Sequence, residues 1–199
     1  MLTEDKYPNW FAVTAQTNFE THLLPLADQD YLRFMQLGAY TGDASVWILE
    51  NIFTGKGCRL TDVDTWQGSN EVAHESINFD EVYDIYLKKV SKYYKQVHVQ
   101  RCTTTDYLLG QYGCDRPLGE YFDFIYVDAD HTTVGVILDA ELSWPLLKSG
   151  GIMAFDDYNW GNELPLHLRP RPGIDLFLLR HDGEFELLEK NEQVWIRKL

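Results

Sequence analysis

Tyr121-Phe-Asp-Phe-Ile-Tyr-Val-Asp128-Ala-Asp130-His131 and Gly150-Gly-Ile-Met-Ala-Phe-Asp156-Asp157-Tyr158 are the two stretches on which the fold turns. Each is an apolar, β-branched or aromatic run that reads as a buried parallel strand, and each stops on carboxylates instead of an ordinary turn. In an open α/β sheet the carboxyl ends of the strands are where ligands bind. Carboxylates gathered there repel one another and lose hydration unless something positive sits among them. Hard oxygen donors suit Mg²⁺ or a similar divalent ion. Asp128, Asp156 and Asp157 are therefore candidate metal ligands; the plainer alternative is that they cap turns.

Working outward, the pattern alternates. Tyr31 to Leu37 reads as a strand, Gly38 to Gly42 as a glycine-containing loop, and Asp43 to Phe53 as a helix opening on an acidic residue, which suits a helix N-terminus. Further strands are expected at Cys58 to Asp64, Val97 to Arg101, Tyr121 to Asp128 and Ile152 to Asp156. Helices are expected around Phe79 to Tyr94, Thr103 to Tyr112, from a Thr132 or Thr133 cap to about Leu147, and Ile174 to Arg180. Lys148-Ser-Gly-Gly151 reads as a helix stop and the Arg/Pro-rich stretch Leu168 to Gly173 as a loop. Phe185 to Lys190 and Val194 to Lys198 form a closing hairpin around Asn191-Glu192. Repeated strand–helix alternation followed by a hairpin implies an α/β, Rossmann-like fold: a mostly parallel seven-stranded sheet with an antiparallel C-terminal hairpin. Residues 1–29 are mixed and read as a helical or irregular cap on a single domain spanning 30–199.

A chain of 199 residues with 45% hydrophobic content buries a substantial core. The net charge of -14 works against nucleic acid and anionic membranes as partners and makes a small neutral or cationic ligand easier to accommodate. Cys58, Cys102 and Cys114 fit neither a disulfide framework nor zinc-ligand spacing, which points to a reducing compartment. With no leader pattern at the start and no long apolar run, the expectation is a soluble, cytoplasmic protein, with a homo-oligomer left open.

Gln36-Leu-Gly38-Ala-Tyr-Thr-Gly42 lies at the first strand-to-helix crossing, where glycines permit close backbone approach to a ligand. A dinucleotide fingerprint needs glycine where Tyr40 and Asp43 stand, so NAD and FAD are disfavoured and another nucleoside-containing ligand is favoured. Asp64, ending the second strand, is placed to accept hydrogen bonds from ribose hydroxyls. Thr104 and Thr105, after the third, are candidates to line an adenine pocket.

The loop at Gln36–Gly42 resembles the S-adenosylmethionine loop of catechol-type O-methyltransferases. Val63-Asp64-Thr65-Trp66-Gln-Gly68, Phe122 to His131 and Phe155-Asp156-Asp157-Tyr158 are similar to the related class I family that includes macrolide-sugar O-methyltransferases. The resemblance implies a class I methyltransferase fold, S-adenosylmethionine as methyl donor, and a hydroxyl of a small molecule or sugar as acceptor. It places cofactor contacts on Gln36, Gly38, Ala39, Tyr40, Gly42, Asp64, Thr65, Thr104, Thr105, Asp128 and Asp130, and Mg²⁺ or Mn²⁺ on Asp128, Asp156 and Asp157. His131 falls where catechol-type relatives carry a catalytic lysine and is implied to be the base, with Asp128 beside it. In the relatives an acidic residue usually stands at the position of Gln36 and helps hold the methionine amino group; the Gln36 carbonyl can still accept one hydrogen bond. Two alternatives stay open: a metal-independent N- or O-methyltransferase, and a catalytically silent nucleoside-binding or assembly protein. Trp66, Trp160, Tyr40 and Tyr158 are candidates for an aromatic substrate wall, although aromatics more often fill cores. Arg169 and Arg171 are weaker candidates for holding an acidic substrate group, and Gly68 to Asn78 for a lid.

Overall fold

The computed structural model describes residues 6–69, 76–112 and 119–199. Seven strands form one sheet: β1 (Arg33–Leu37), β2 (Arg59–Asp64), β3 (Val97–Arg101), β4 (Phe122–Val127), β5 (Leu147–Phe155), β6 (Phe185–Lys190) and β7 (Val194–Lys198). Their order is β3-β2-β1-β4-β5-β7-β6, with β1 to β5 parallel and β7 antiparallel to both neighbours. The expected fold class is borne out. Helices α1 (Gln16–Leu23), α2 (Asp43–Asn51), α3 (Phe79–Val90), α4 (Thr104–Tyr112), α5 (Thr133–Ser143) and α6 (Pro170–Arg180) cover both faces.

Alternation along each strand sends side chains to two cores. Phe34, Leu60, Phe124 and Trp195 pack with Phe19, Ile48 and Tyr86 on one face, while Met35, Val63, Ile125 and Phe155 pack with Val136, Ala140 and Phe177 on the other. On the first face Phe19 of α1 sits edge-on to Phe124, Tyr126 and Trp195 at ring separations of 5.7, 5.0 and 5.3 Å, so the N-terminal helix is packed on the sheet.

Two boundaries differ from expectation for identifiable reasons. β5 begins at Leu147, not Ile152: Lys148-Ser-Gly-Gly151 continues the strand, past a register shift opposite Asp123. Asp123 makes that irregularity tolerable by accepting from Arg33 N at 2.8 Å and Lys148 Nζ at 2.7 Å. Helix α6 begins at Pro170 instead of Ile174, because prolines within a first turn lack only N–H groups that have no helical partner there. Among the described residues no helix is long and apolar enough to cross a membrane.

Candidate active site

β1 neighbours β2 on one side and β4 on the other, so the connections turn in opposite directions from it. The crevice at such a point, outside the carboxyl ends of the strands, is the expected ligand position. Gly38 and Asp128 meet there: a Cβ on Gly38, whose φ is +88°, would lie 1.9 Å from the Asp128 carbonyl oxygen. Only glycine lets the loop pass this close to the end of β4.

The loop is held from the β2 side. Asp64 Oδ2 accepts from Ala39 N at 2.8 Å and Tyr40 N at 3.0 Å, and its Oδ1 accepts from Trp66 N at 2.7 Å. Both oxygens thus already serve the backbone, with one acceptor site, on Oδ1, remaining for a ligand hydroxyl. Trp66, buried to 1% exposure, donates from Nε1 to the Tyr40 carbonyl at 2.9 Å and packs on Tyr83 and Tyr86. It is core and loop clamp, not substrate wall. Tyr40 stacks on Trp10 at 4.8 Å. Gly42, at φ +81°, ends the loop with no room for a Cβ against the Tyr86 ring.

Beneath the loop lies a polar network that sequence reasoning missed. Asp62, fully buried on β2, accepts on Oδ2 from Ser45 Oγ at 2.8 Å and Tyr86 Oη at 2.7 Å, and burial pushes its carboxyl up to about 7. Gln36, its register partner on β1, donates from Nε2 to Ser45 Oγ and to the Gly38 carbonyl, each at 3.4 Å. Gln36 Oε1 and Asp62 Oδ1 are buried with no hydrogen-bond partner among the described residues. A polar residue between Met35 and Leu37 is the one signal of this network in the sequence.

At the ends of β4 and β5 the expected acids gather unequally. One ligand atom each from Asp128, His131 and Asp157 lies within 4.8 Å of the others; His131 Nε2 is 3.1 Å from Asp157 Oδ2 and 3.5 Å from Asp128 Oδ1. Burial, together with the charges of Asp156 and Asp157, pushes the Asp128 carboxyl well above its usual range, against a lowering by His131. Its side chain keeps 30% exposure, which moderates the push without reversing it. Asp157 turns into the cluster through a left-handed backbone at φ 56°.

Asp156 is directed elsewhere. It accepts from Tyr126 Oη on one oxygen, and on the other from Gln193 Nε2 at 3.1 Å and Asp157 N at 2.8 Å. The convergent triad is thus Asp128, His131 and Asp157, and the histidine, not Asp156, is its third member.

Most of the remaining candidates are engaged with the protein's own turns and helices. Asp130 Oδ1 accepts from Thr132 N at 2.8 Å, and Thr132 Oγ1 caps α5 by accepting from Gly135 N at 3.0 Å, so both shape the turn carrying His131. Thr104 donates to buried Asp139 at 2.5 Å, which binds α4 to α5. Thr65 Oγ1 accepts from Gln67 N at 3.2 Å, and Thr105 is half-buried at the start of α4. Tyr158, 5% exposed, donates to Asp175 at 2.8 Å beneath the Arg171 guanidinium, and Arg169 donates to the Leu164 carbonyl, so neither arginine reaches toward the cluster. Trp160 does, with its ring 5.1 Å from that of His131. Of the lid candidate Gly68 to Asn78, residues 70–75 lie outside the described residues, as does Cys114.

Residues 35–158, more than half of the chain and inclusive of Gln36, Gly38, Asp62, Asp64, Asp128, His131, Asp156 and Asp157, match the family model described as a methyltransferase domain. The chain belongs to this methyltransferase family. Solved structures of similar fold include an O-methyltransferase from Bacillus cereus in complex with SAH, with a TM-score of 0.62, 16% identity, and coverage of 99% of this chain and 84% of that one. A cofactor-bound protein from MTB gives a TM-score of 0.63 at 15% identity, over 97% of this chain and 84% of that one. The MycE methyltransferase of the mycinamycin biosynthetic pathway, in complex with Mg and SAH, gives 0.59 at 14% identity over 98% of this chain; the match spans 51% of MycE. At these identities the likeness is one of fold. No curated protein matches the chain. The methyltransferase reading of the sequence is borne out by the family.

Proposed function

We propose that this methyltransferase uses S-adenosylmethionine to methylate a hydroxyl of a small molecule or sugar, with His131 as general base and a divalent cation at the acidic strand ends. The observation that carries the reading is the convergence of Asp128, His131 and Asp157 beside the Gly38 loop, where a ligand on the loop and an acceptor on the acids would face each other. The donor fits the residues present. Gly38 lets the loop run directly against the end of β4, Asp64 retains acceptor capacity for a ribose hydroxyl, and Gln36 Oε1 is a buried acceptor with no partner among the described residues.

His131 Nε2 removes the acceptor's proton as the oxygen takes the methyl group from the sulfonium, and the neighbouring carboxylates stabilise the imidazolium that results. Trp160 packs beside the ring. The crevice contributes mainly alignment of donor and acceptor. Asp128 and Asp157 would hold Mg²⁺ or Mn²⁺, whose chemistry when bound is to lower the pKa of a ligated hydroxyl. The net charge of -14 supports a neutral or cationic acceptor over nucleic acid.

One observation favours the metal-independent alternative: with Asp156 engaged by Tyr126 and Gln193, only Asp128 and Asp157 face the crevice, and an imidazolium at His131 would offset one of their two charges without a metal. Calorimetry with S-adenosylhomocysteine, followed by turnover on a panel of polyhydroxylated acceptors with and without chelator, tests both. Absence of cofactor binding sinks the donor reading; full turnover after chelation leaves the base and removes the metal.

A further inference from the structure

Gln36 stands where an acid would give a fixed negative acceptor, and an amide has no such fixed polarity, since turning it over exchanges oxygen for nitrogen. What sets its orientation is visible beneath it. Ionised Asp62, the form that predominates above about pH 7, can only accept, and its Oδ2 takes the protons of both Ser45 Oγ and Tyr86 Oη. Ser45 has one proton, and with that proton on Asp62 the hydroxyl presents lone pairs to Gln36. Gln36 must answer with its NH₂, whose second proton goes to the Gly38 carbonyl. The carbonyl oxygen is then left over, buried and without a partner among the described residues. A leftover buried acceptor is costly by itself and calls for a donor. The chemical group that answers such an acceptor beside a glycine loop is a donor-only cation, a primary ammonium.

We infer that Asp62 is a positioning residue for the ammonium end of the methyl donor: acting through Ser45, it locks the Gln36 amide with its oxygen turned toward that ammonium. The inference rests on the S-adenosylmethionine reading. It differs from a purely structural role because it concerns only the amino-acid end of the ligand. Asparagine at position 62 keeps the shape but can offer a donor to Ser45, which frees the Ser45 proton for Gln36 Oε1 and reverses the relay.

The test is calorimetry of wild type, Asp62→Asn and Ser45→Ala with two ligands, S-adenosylhomocysteine and 5′-methylthioadenosine, which has the nucleoside but no amino-acid end. Both variants are expected to bind S-adenosylhomocysteine about tenfold more weakly and methylthioadenosine unchanged. Adding Gln36→Glu to Asp62→Asn should restore the first affinity, since a carboxylate needs no orienting relay. Equal weakening for both ligands, or no weakening in folded Ser45→Ala, overturns the inference while leaving the donor reading intact. Wild type that binds neither ligand overturns the donor reading and this inference with it.

Discussion

The two halves of the crevice hold their acids in opposite ways. On the β2 side, Asp62 and Asp64 are met by N–H and O–H donors: three backbone amides for Asp64, two hydroxyls for Asp62. On the β4–β5 side, Asp128 and Asp157 face each other across one imidazole. The first arrangement is rigid and nearly complete before any ligand arrives, as suits a loop that must match a fixed molecule. The second is poised, with like charges brought close and a titratable group between them, as suits a place where a proton changes hands. On the proposed reading, the same strand-end geometry serves binding on one side and chemistry on the other.

The sharpest way to break that division is at His131. If the β4–β5 side does chemistry, His131→Ala should lower kcat by roughly 10² to 10⁴ while S-adenosylhomocysteine affinity stays within about twofold of wild type. Steady-state kinetics beside calorimetry reads both. A variant with wild-type kcat would make the histidine a counter-charge only, and a large loss of cofactor affinity would erase the distinction between the halves.

A second measurement asks what burial costs an acid outside the crevice. Burial pushes Asp139, held by Thr104, from 3.8 up to about 7, so the folded protein keeps a proton there that the unfolded chain releases earlier. The sign follows: stability from this group is whole below the unfolded value near 3.8 and is lost as pH rises through about 7, a span of up to about 4 kcal/mol. Urea unfolding of Asp139→Asn from pH 5 to pH 8 should show a shallower decline, by up to about 1.4 kcal/mol per pH unit. Asp62, also pushed to about 7, should keep part of the slope in that variant. An unchanged slope would mean that Asp139 titrates as an exposed acid does.

On the binding side, Asp64→Ala should weaken S-adenosylhomocysteine by about 2 to 3 kcal/mol, because it removes the ribose acceptor together with three amide anchors of the loop. Calorimetry that finds under twofold loss would show that the backbone alone shapes the loop.

How far these halves could be read in the sequence differs too. Gly38, Gly42 and Asp64 announce themselves, because close approach demands glycine and an acid ending an apolar strand is conspicuous. β3, β6 and β7 were legible to the residue, since each is a short run bounded by turn-forming or polar residues. Asp62 and Gln193 were not, because a polar residue inside a strand reads as outward-facing until the covering helix is known; both are fully buried. Asp128, Asp156 and Asp157 were legible as a group, but not that the Tyr126 and Gln193 side chains turn Asp156 away, for that depends on β7 lying beside β5. β5 was cut short at Gly150-Gly151 because glycine pairs ordinarily end elements, and α6 was started late because prolines ordinarily do.

The smallest predicted effect tests whether the poised side depends on local helix geometry. His131 directly precedes the α5 cap, where Thr132 Oγ1 accepts from Gly135 N and Asp130 Oδ1 accepts from Thr132 N. Thr132→Ala should cost about 1 kcal/mol in stability, the usual loss for an N-cap, whereas Thr132→Ser should retain nearly all of it. Fraying of the first turn would also loosen the His131 ring between Asp157 and Trp160, so kcat should fall a few-fold in the alanine variant and recover in the serine variant, with KM for the methyl donor unchanged. The two readings separate cleanly: unfolding midpoints report the cap, and the ratio of kcat in the two variants reports the histidine. A stability loss without any change in kcat would show that Asp128 and Asp157 orient the imidazole by themselves, and that the poised half of the crevice owes nothing to the helix behind it.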